Sequence, residues 1–248
     1  MKILVCISHV PDTTSKINFV NNDTEFDTNG VQFVMNPNDE FGLTRAIWFQ
    51  EQQGAKVTVV NVGGPETEAT LRKALAIGAD DAIRVNAVPI DGFFVANQLA
   101  EVIKNGAFDL VIAGKESLDY NGGMVPGMLA GMLGYNFVNS CSGLTIDGNV
   151  ATATREIDGG KETITAHLPL IIAGQKGLVE EKDLRIPNMR GILTARTKAL
   201  TVIEPFGVDA TSKSILFEKP APKSAVKLVA ADNLDALIDL LHNEAKVI

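Results

Sequence analysis

The chain has 248 residues, of which 46% are hydrophobic and 21% are charged, with 22 Lys and Arg against 30 Asp and Glu, a net charge of −8. This acidic balance argues against nucleic acids and anionic membrane surfaces as partners, because both attract clustered Lys and Arg. The two cysteines, Cys6 and Cys141, are too few for a disulfide framework or a four-cysteine metal site. With no long apolar run and no recognisable signal peptide, we expect a soluble, cytoplasmic protein that has no metal site and does not insert into a membrane.

The first half of the chain alternates between short apolar runs and helical patterns. The apolar runs are typical of parallel strands buried on both faces, and they occupy residues 3–10, 57–62, 81–85 and 109–113. A small β excursion is predicted between residues 17 and 34. Asn36 and Pro37 have the residue types of a helix N-cap and first position, and that helix should end at Gly54. Three further helices are predicted from Gly63-Gly64-Pro65 to Gly78, at 92–104 and at 125–133.

After Gly134 the pattern changes to short strands joined by tight turns. Strands are expected at 137–146, 150–157, 161–166 and 170–173, and Asp-Gly-Asn and Asp-Gly-Gly turns separate the first three. We expect these four strands to form an antiparallel region. The charged segment 175–187 is long enough to suggest a functional loop, and 188–198 reads as a basic helix.

The last part of the chain, residues 200–230, contains three prolines and reads as an extended arm, followed by a helix capped by Asp232. The predicted fold is α/β: a doubly wound, mostly parallel, Rossmann-like sheet of the adenine-nucleotide-binding type, with an appended antiparallel region and a C-terminal arm. We place a nucleotide-binding domain at 1–199, including the hairpin region 137–173 and the loop 175–187. The arm and final helix occupy 200–248.

The common catalytic and phosphate-binding motifs are absent from the sequence, and its three histidines are far apart. What remains is a set of four loops at the carboxyl ends of predicted strands, where ligands bind in open α/β sheets: residues 7–10, 36–39, 62–65 and 114–125. Two of these loops are glycine-rich and lead into helices, an arrangement that suits phosphate. The residues alone leave open whether these glycines bind a nucleotide or only form tight turns.

The hairpin region carries a spaced pattern of residue types that resembles a family signature. Its members are Ala153, Arg155, Asp158, Gly159, Gly160, Glu162, Ile164, Pro169, Ile171, Ile172 and Ala173. This pattern resembles the signature of the β subunit of electron transfer flavoproteins. Other stretches agree with the resemblance, among them Met35-Asn36-Pro37, Gly78-Ala79-Asp80 and Ile186-Pro187-Asn188.

The resemblance implies an electron carrier and not an enzyme. Such a protein pairs with an α subunit that holds most of a redox-active FAD, while the β subunit binds AMP or, in some members, a second FAD. The implied nucleotide contacts in this chain are Cys6, Ser8, Asn36, Pro37, Asn38, Asp39, Val62, Gly63, Gly114, Lys115, Asp119, Gly122, Gly123, Met124 and Val125. Met124 stands where family members often have Gln, and Ser8 stands where many have Lys.

The resemblance also implies protein partners. In the family, a loop equivalent to 175–187 docks on acyl-CoA or other dehydrogenases through an inserted Leu, and Ile186 occupies that place here. The expected partner contacts are Glu156, Arg185, Ile186, Pro187 and Asn188, with Glu156 reaching the flavin domain of the α subunit and the arm wrapping that subunit. The alternative is a free-standing ATP- or AMP-binding regulatory domain of the universal-stress type.

Overall fold

A computed structural model describes residues 1–223 and 225–248; Ser224, which falls in the predicted arm, lies outside the described residues. The helices are α1 (Pro37–Gln53), α2 (Glu68–Ile77), α3 (Gly92–Gly106), α4 (Val125–Leu133), α5 (Met189–Ala195) and α6 (Leu234–Asp239). The strands are β1 (Lys2–Cys6), β2 (His9–Pro11), β3 (Phe19–Val20), β4 (Glu25–Phe26), β5 (Phe33–Met35), β6 (Lys56–Val62), β7 (Asp81–Val85), β8 (Leu110–Gly114), β9 (Asn136–Asp147), β10 (Val150–Ile157), β11 (Gly160–His167), β12 (Leu170–Gly174) and β13 (Leu200–Ile203).

The described residues form one large sheet whose strand order is β11-β10-β9-β12-β8-β1-β6-β7-β13. The seven strands β9-β12-β8-β1-β6-β7-β13 pair in parallel with their neighbours. β10 pairs in antiparallel fashion with β9 and with β11, so that β10 and β11 form an antiparallel hairpin at one edge. The sheet confirms the predicted α/β class with a mostly parallel, doubly wound sheet and an appended antiparallel region. None of the helices among the described residues combines the length and the apolar character needed to cross a membrane.

Two apolar layers cover the sheet, one on each face. Side chains of α1, α2 and α5 pack on one face, and side chains of α3 and α4 pack on the other. The central strands contribute to both layers because their successive side chains point to opposite faces. This is why β1, β8 and β12 read as continuous apolar runs.

The fourth predicted strand of the antiparallel region is placed differently from the prediction. β12 lies inside the sheet and runs parallel to both of its neighbours, with Leu170 opposite Leu110 of β8 and opposite Asn136 of β9. All five residues of β12 are buried, which its apolar sequence requires of a central strand. Only β9, β10 and β11 pair in antiparallel fashion within this region, so the expectation for residues 170–173 was wrong.

The first predicted strand, at residues 3–10, is divided in two. β1 ends at Cys6, and β2 turns away to pair with β5 in a separate two-stranded sheet. The division follows from hydrogen bonding, since the Ser8 N–H donates to the Asp39 carboxylate at 2.7 Å and not to a neighbouring strand. The excursion predicted between residues 17 and 34 contains the hairpin of β3 and β4.

Helix α2 and the end of α5 are joined through reciprocal contacts. Lys198 Nζ donates to Leu75 O, in the last turn of α2, at 3.0 Å and to Ala79 O, just beyond that helix, at 2.5 Å. Arg72 of α2 donates in turn to Ala195 O and Lys198 O, at 2.7 and 2.8 Å. These cations satisfy carbonyl groups that a helix end leaves free, so the basic segment predicted after residue 188 is fixed to the domain.

The predicted arm begins with a strand that the sequence pattern did not reveal. β13 pairs in parallel with β7 at the edge of the sheet. Beyond it, most of the described side chains are exposed as far as α6. The cap of α6 is Asn233, whose side chain accepts the Ala236 N–H at 3.2 Å, and not Asp232 as predicted.

Candidate functional site

The carboxyl edge of the sheet brings together four loops that were predicted as binding loops. β1 lies between β6 and β8 in the sheet. The chain first adds β6 and β7 on one side of β1 and then crosses over to add β8 on its other side, so the direction in which strands are added reverses at β1. Ligands of open α/β sheets bind at such a switch point. We call the loops and strand ends at this point, residues 6–8, 36–39, 61–63 and 114–125, the cradle.

A buried carboxylate holds the centre of the cradle. Asp39, in the first turn of α1, accepts the Ser8 N–H at 2.7 Å and the Gly114 N–H at 2.9 Å, one on each oxygen. Burial raises the pKa of Asp39 to about 7, although both N–H donors act to lower it. The side chain thereby ties the ends of β1 and β8 to the start of α1.

Three asparagine side chains line the same region. Asn36 and Asn38 donate to the Glu116 carbonyl at 2.9 and 3.2 Å, and Asn61 donates to the Ile7 carbonyl at 2.8 Å. The carboxamide oxygens of Asn36 and Asn61 are buried and have no hydrogen-bond partner among the described residues. Buried acceptors without partners are costly, so these two oxygens are suited to a ligand that brings donor groups.

Asn61 was not predicted as a site residue. It lies on β6, where the surrounding residues 57–62 are otherwise valines and one threonine. A single carboxamide inside a buried apolar strand was the signal in the sequence, because a buried polar group needs a specific partner. Asn36 occupies the predicted N-cap position of α1, but its side chain donates to Glu116 and does not cap the helix.

The glycine-rich loop after β8 has close backbone contacts and leads to the start of a helix. A Cβ on Gly114 would overlap Asp39 Oδ1, and one on Gly123 would lie 3.2 Å from Lys115 O. Met124 is half exposed, and its side chain lies against Gly92. Within the part of the chain that the structure describes, no side chain caps the N-terminus of α4 at Val125, so this helix end can accept an anion.

The other predicted nucleotide contacts differ in accessibility. Cys6 and Val62 are buried in the apolar layer of α3 and α4, and burial raises the pKa of the Cys6 thiol far above its ordinary value. Gly63 is buried too, and its N–H donates to Val85 O at 3.0 Å. Pro37 and Asp119 are exposed at the rim. Backbone atoms, more than side chains, form this part of the cradle.

A cavity of about 490 Å³ adjoins the cradle and reaches the predicted partner-binding residue Glu156. Its lining includes Asn38 and Lys115 from the cradle together with Glu156 of β10. Gln175 Nε2 donates to Glu156 Oε2 at 2.8 Å and holds that carboxylate at the cavity. The structure therefore brings the predicted nucleotide region and Glu156 to one place.

The first half of the loop 175–187 lines the cavity, and the loop exposes one large apolar side chain near its end. Leu178 and Val179 are buried and anchor the loop, while Ile186 is 80% exposed. Arg185 Nη2 donates to Glu51 Oε2 at 2.7 Å. The Asn188 side chain caps α5 by accepting the Gly191 N–H at 2.7 Å. Ile186 thus protrudes from a fixed base and does not pack on its own domain.

The donor and acceptor groups of the cradle fit an adenine nucleotide. The unpartnered oxygens of Asn36 and Asn61 suit donors such as an exocyclic amine or ribose hydroxyls, and the start of α4 suits a phosphate. Among the described residues there is no group of three or more His, Cys, Asp or Glu that could hold a metal ion. The arrangement can bind and orient a ligand.

Comparison with known proteins agrees with this geometry. Residues 23–205 match the family model described as "Electron transfer flavoprotein domain". The chain is 33% identical over 262 aligned residues to the electron transfer flavoprotein subunit beta of Bacillus subtilis (strain 168), with all of both chains covered. It is 33% identical to the Homo sapiens subunit of the same name, covering 95% of this chain and 96% of that one.

A third relative is the electron transfer flavoprotein subunit beta of Syntrophomonas wolfei, which is 34% identical over 227 residues, covering 91% of this chain and 88% of the relative. These matches confirm the resemblance found at the hairpin and favour an electron carrier over a free-standing regulatory domain. The chain therefore belongs to the electron transfer flavoprotein family as a β subunit, an electron-carrier subunit and not a catalytic enzyme.

Proposed function

We propose that this chain pairs with an FAD-bearing α subunit to carry electrons between dehydrogenases and an acceptor, and that it holds AMP in the cradle. The flavin, when bound in the α subunit, supplies the redox chemistry. This chain binds the nucleotide, the α subunit and the dehydrogenase. We place this activity in the cytoplasm, with residues 1–199 as the nucleotide-binding domain and 200–248 as the arm.

The observation that carries the nucleotide proposal is the pair of buried, unpartnered oxygens on Asn36 and Asn61. They lie at the ends of elements that the strand order brings to the switch point, beside backbone approached closely through Gly114 and Gly123. An adenosine donor at these oxygens removes the cost of burying them. A second FAD is the alternative ligand, because Asn38, Lys115 and Glu116 line the neighbouring cavity and also belong to the cradle.

Mass spectrometry of nucleotide released from the purified heterodimer tests this proposal. We expect one FAD and one AMP per dimer, whereas two FAD per dimer indicate the alternative. Asn36→Ala should lower the AMP content by about tenfold, since one good hydrogen bond to a buried partner corresponds to about 1–2 kcal/mol. A heterodimer that contains no adenine nucleotide beyond the FAD of the α subunit would contradict the proposal.

Asn136→Ala is the matched control for the Asn36 variant. Asn136 also donates its side-chain amide to one backbone carbonyl, that of His167 at 2.8 Å, but it stands at the start of β9, at the opposite edge of the sheet from the cradle. We expect its AMP content to equal that of the wild type. An equal loss of AMP in both variants would show that Asn36 has no specific role.

The α subunit is proposed to cover the exposed apolar side chains of the arm. Ile215 and Leu216 are 72% and 65% exposed, and Val226 and Leu228 are 82% and 91% exposed. Exposed apolar residues in such number mark a protein interface more often than a free surface. Glu156, at the cavity, is proposed to contact the flavin domain of the same subunit.

Ile186 is proposed to anchor acyl-CoA or other dehydrogenases, with Arg185, Pro187 and Asn188 around it. Burial of one aliphatic side chain contributes about 1.5–3 kcal/mol, which suits a transient complex. Ile186→Ala should therefore weaken docking by about tenfold, measured by surface plasmon resonance on an immobilised dehydrogenase. The stability of the heterodimer should not change, because this side chain is already exposed.

Val88→Ala is the control for docking, since Val88 is 73% exposed and lies outside the loop 175–187. It should leave the affinity for the dehydrogenase within a factor of about two of the wild type, because no anchor is removed. If Val88→Ala and Ile186→Ala weaken docking equally, the loop is not the specific anchor.

A further inference from the structure

The C-terminal arm is attached to helix α3 soon after it leaves the sheet. The side chain of Gln98 is buried and exchanges two hydrogen bonds with the backbone of Phe206: Gln98 Nε2 donates to Phe206 O at 2.8 Å, and Phe206 N–H donates to Gln98 Oε1 at 2.7 Å. Phe206 also packs on the apolar layer of α3 and α4. The arm is therefore directed along α3 toward the carboxyl edge of the sheet.

At the start of α3, one carboxylate binds both the helix and the arm. Asp91 accepts the Phe94 N–H at 2.7 Å on one oxygen. Its other oxygen accepts the backbone N–H groups of Thr211 and Ser212, each at 2.7 Å, and their hydroxyls at 3.0 and 3.1 Å. These donors, the Phe94 N–H first among them, hold the pKa of Asp91 well below its usual range, so the Asp91 carboxylate is charged at physiological pH.

A second attachment holds the arm five residues farther on, at the β3–β4 hairpin. Phe217 stacks on Phe19 with ring centroids 5.0 Å apart, and the Phe217 N–H donates to Asp23 O at 2.7 Å. Lys219 Nζ donates to Asn18 Oδ1 at 2.9 Å. The segment between the two attachments carries Ile215 and Leu216, which are exposed.

Each attachment adjoins a different part of the cradle. Asp91 precedes Gly92, on which the cradle residue Met124 packs, on the side of α3 and α4. The β3–β4 hairpin belongs to the excursion between Ser8 and Asn36, whose first strand is held on the side of α2 by the His9–Thr70 hydrogen bond of 2.8 Å. The chain from Ser212 to Phe217 can span at most roughly 17 Å, so the two attachments lie within that distance of each other.

We propose that residues 211–219 form a strap that closes the mouth of the cradle, fastened by Asp91 on one side and by the β3–β4 hairpin on the other. The strap keeps the bound nucleotide from exchanging with nucleotide in solution, so that the bound nucleotide is a permanent component of the protein and not a regulatory ligand. This inference rests on the proposed nucleotide binding. It adds a residue, Asp91, whose role is to position the strap and not to touch the ligand.

The test measures nucleotide exchange in the heterodimer. Wild type and variants are incubated with excess ¹³C,¹⁵N-labelled AMP, and the released nucleotide is analysed by mass spectrometry over time. Asp91→Asn keeps one oxygen to cap α3 but turns an amide donor toward the N–H groups of Thr211 and Ser212. Phe217→Ala removes the ring stacking on Phe19 and so weakens the other attachment without touching α3. Hydrogen–deuterium exchange at residues 211–219 reports whether the strap has been released.

We expect both variants to exchange AMP at least tenfold faster than the wild type, which corresponds to about 1.4 kcal/mol. Asp109→Asn is the control, since Asp109 accepts the Lys2 N–H at 2.7 Å on the opposite edge of the sheet. This variant should exchange AMP at the wild-type rate. A strap that is released in both variants while AMP exchange is unchanged would overturn the proposal, as would a strap that stays protected in both. A wild-type heterodimer without adenine nucleotide in this chain would instead refute the proposed function.

Discussion

Replacement of Gly114 by Ala is expected to destabilise the protein by about 2–4 kcal/mol and to remove the nucleotide from the cradle. The added Cβ would overlap Asp39 Oδ1, and it would lie 3.0 Å from Asn36 Nδ2 and from Asn38 Cβ. The Asp39 side chain cannot swing aside at low cost, because it is buried and accepts the Ser8 and Gly114 N–H groups. The variant must therefore lose at least one of these bonds or strain the backbone of β8.

Urea unfolding of the chain measures this loss of stability, and Gly131→Ala provides the control. A Cβ on Gly131 would meet none of the described atoms within 4 Å, and Gly131 lies inside α4. Its replacement should stabilise the protein by up to about 1 kcal/mol through helix propensity. If Gly114→Ala changes the free energy of unfolding by less than about 0.5 kcal/mol, the carboxylate is not held rigidly at the strand ends.

Replacement of Asp39 by Asn is expected to change how stability depends on pH. Burial raises the pKa of Asp39 to about 7, while the unfolded chain titrates at its ordinary value near 4. Between about pH 4 and pH 7 the folded protein binds a proton that the unfolded chain has released. The Asp39 contribution to stability is therefore complete below about pH 4 and is lost as the pH rises through 7.

The carboxamide that replaces Asp39 in this variant does not titrate, so the comparison isolates one group. We expect the free energy of unfolding of the wild type, relative to Asp39→Asn, to decrease by about 1–3 kcal/mol between about pH 5 and about pH 8. Urea unfolding at several pH values measures this difference, and other titrating groups cancel because both proteins contain them. A difference that grows with rising pH would mean that the two N–H donors outweigh burial and lower the pKa.

Much of the fold followed from local sequence. The helix α1 was predicted to begin at Pro37 and to end at Gly54, and both positions are as expected, with Gly54 in a left-handed conformation at φ 66°. The hairpin turns at Asp147-Gly148-Asn149 and Asp158-Gly159-Gly160 likewise separate the strands that the pattern predicted. Such signals are reliable because caps and turns depend on the conformational preferences of a few adjacent residues.

Strand pairing could not be read from the same signals. Residues 170–173 were correctly expected to be a strand, but the parallel position of this strand between β8 and β9 depends on partners that are distant in the sequence, such as Leu110 and Asn136. β13 was missed for a similar reason, since its four residues gain their order from pairing with β7. A short apolar segment carries no information about which edge or gap of a sheet it will fill.

The candidate site shows the same division. The sequence by itself determined the family, through the spaced residues of the hairpin region, and it marked the strand ends and glycine loops where a nucleotide would bind. Only the tertiary structure decided that Asp39 joins two strand ends, that Asn61 presents a buried oxygen there, and that Asp91 accepts hydrogen bonds from Thr211 and Ser212. These contacts join groups far apart in the chain, and burial, which gives the first two their chemical effect, exists only once the sheet has assembled.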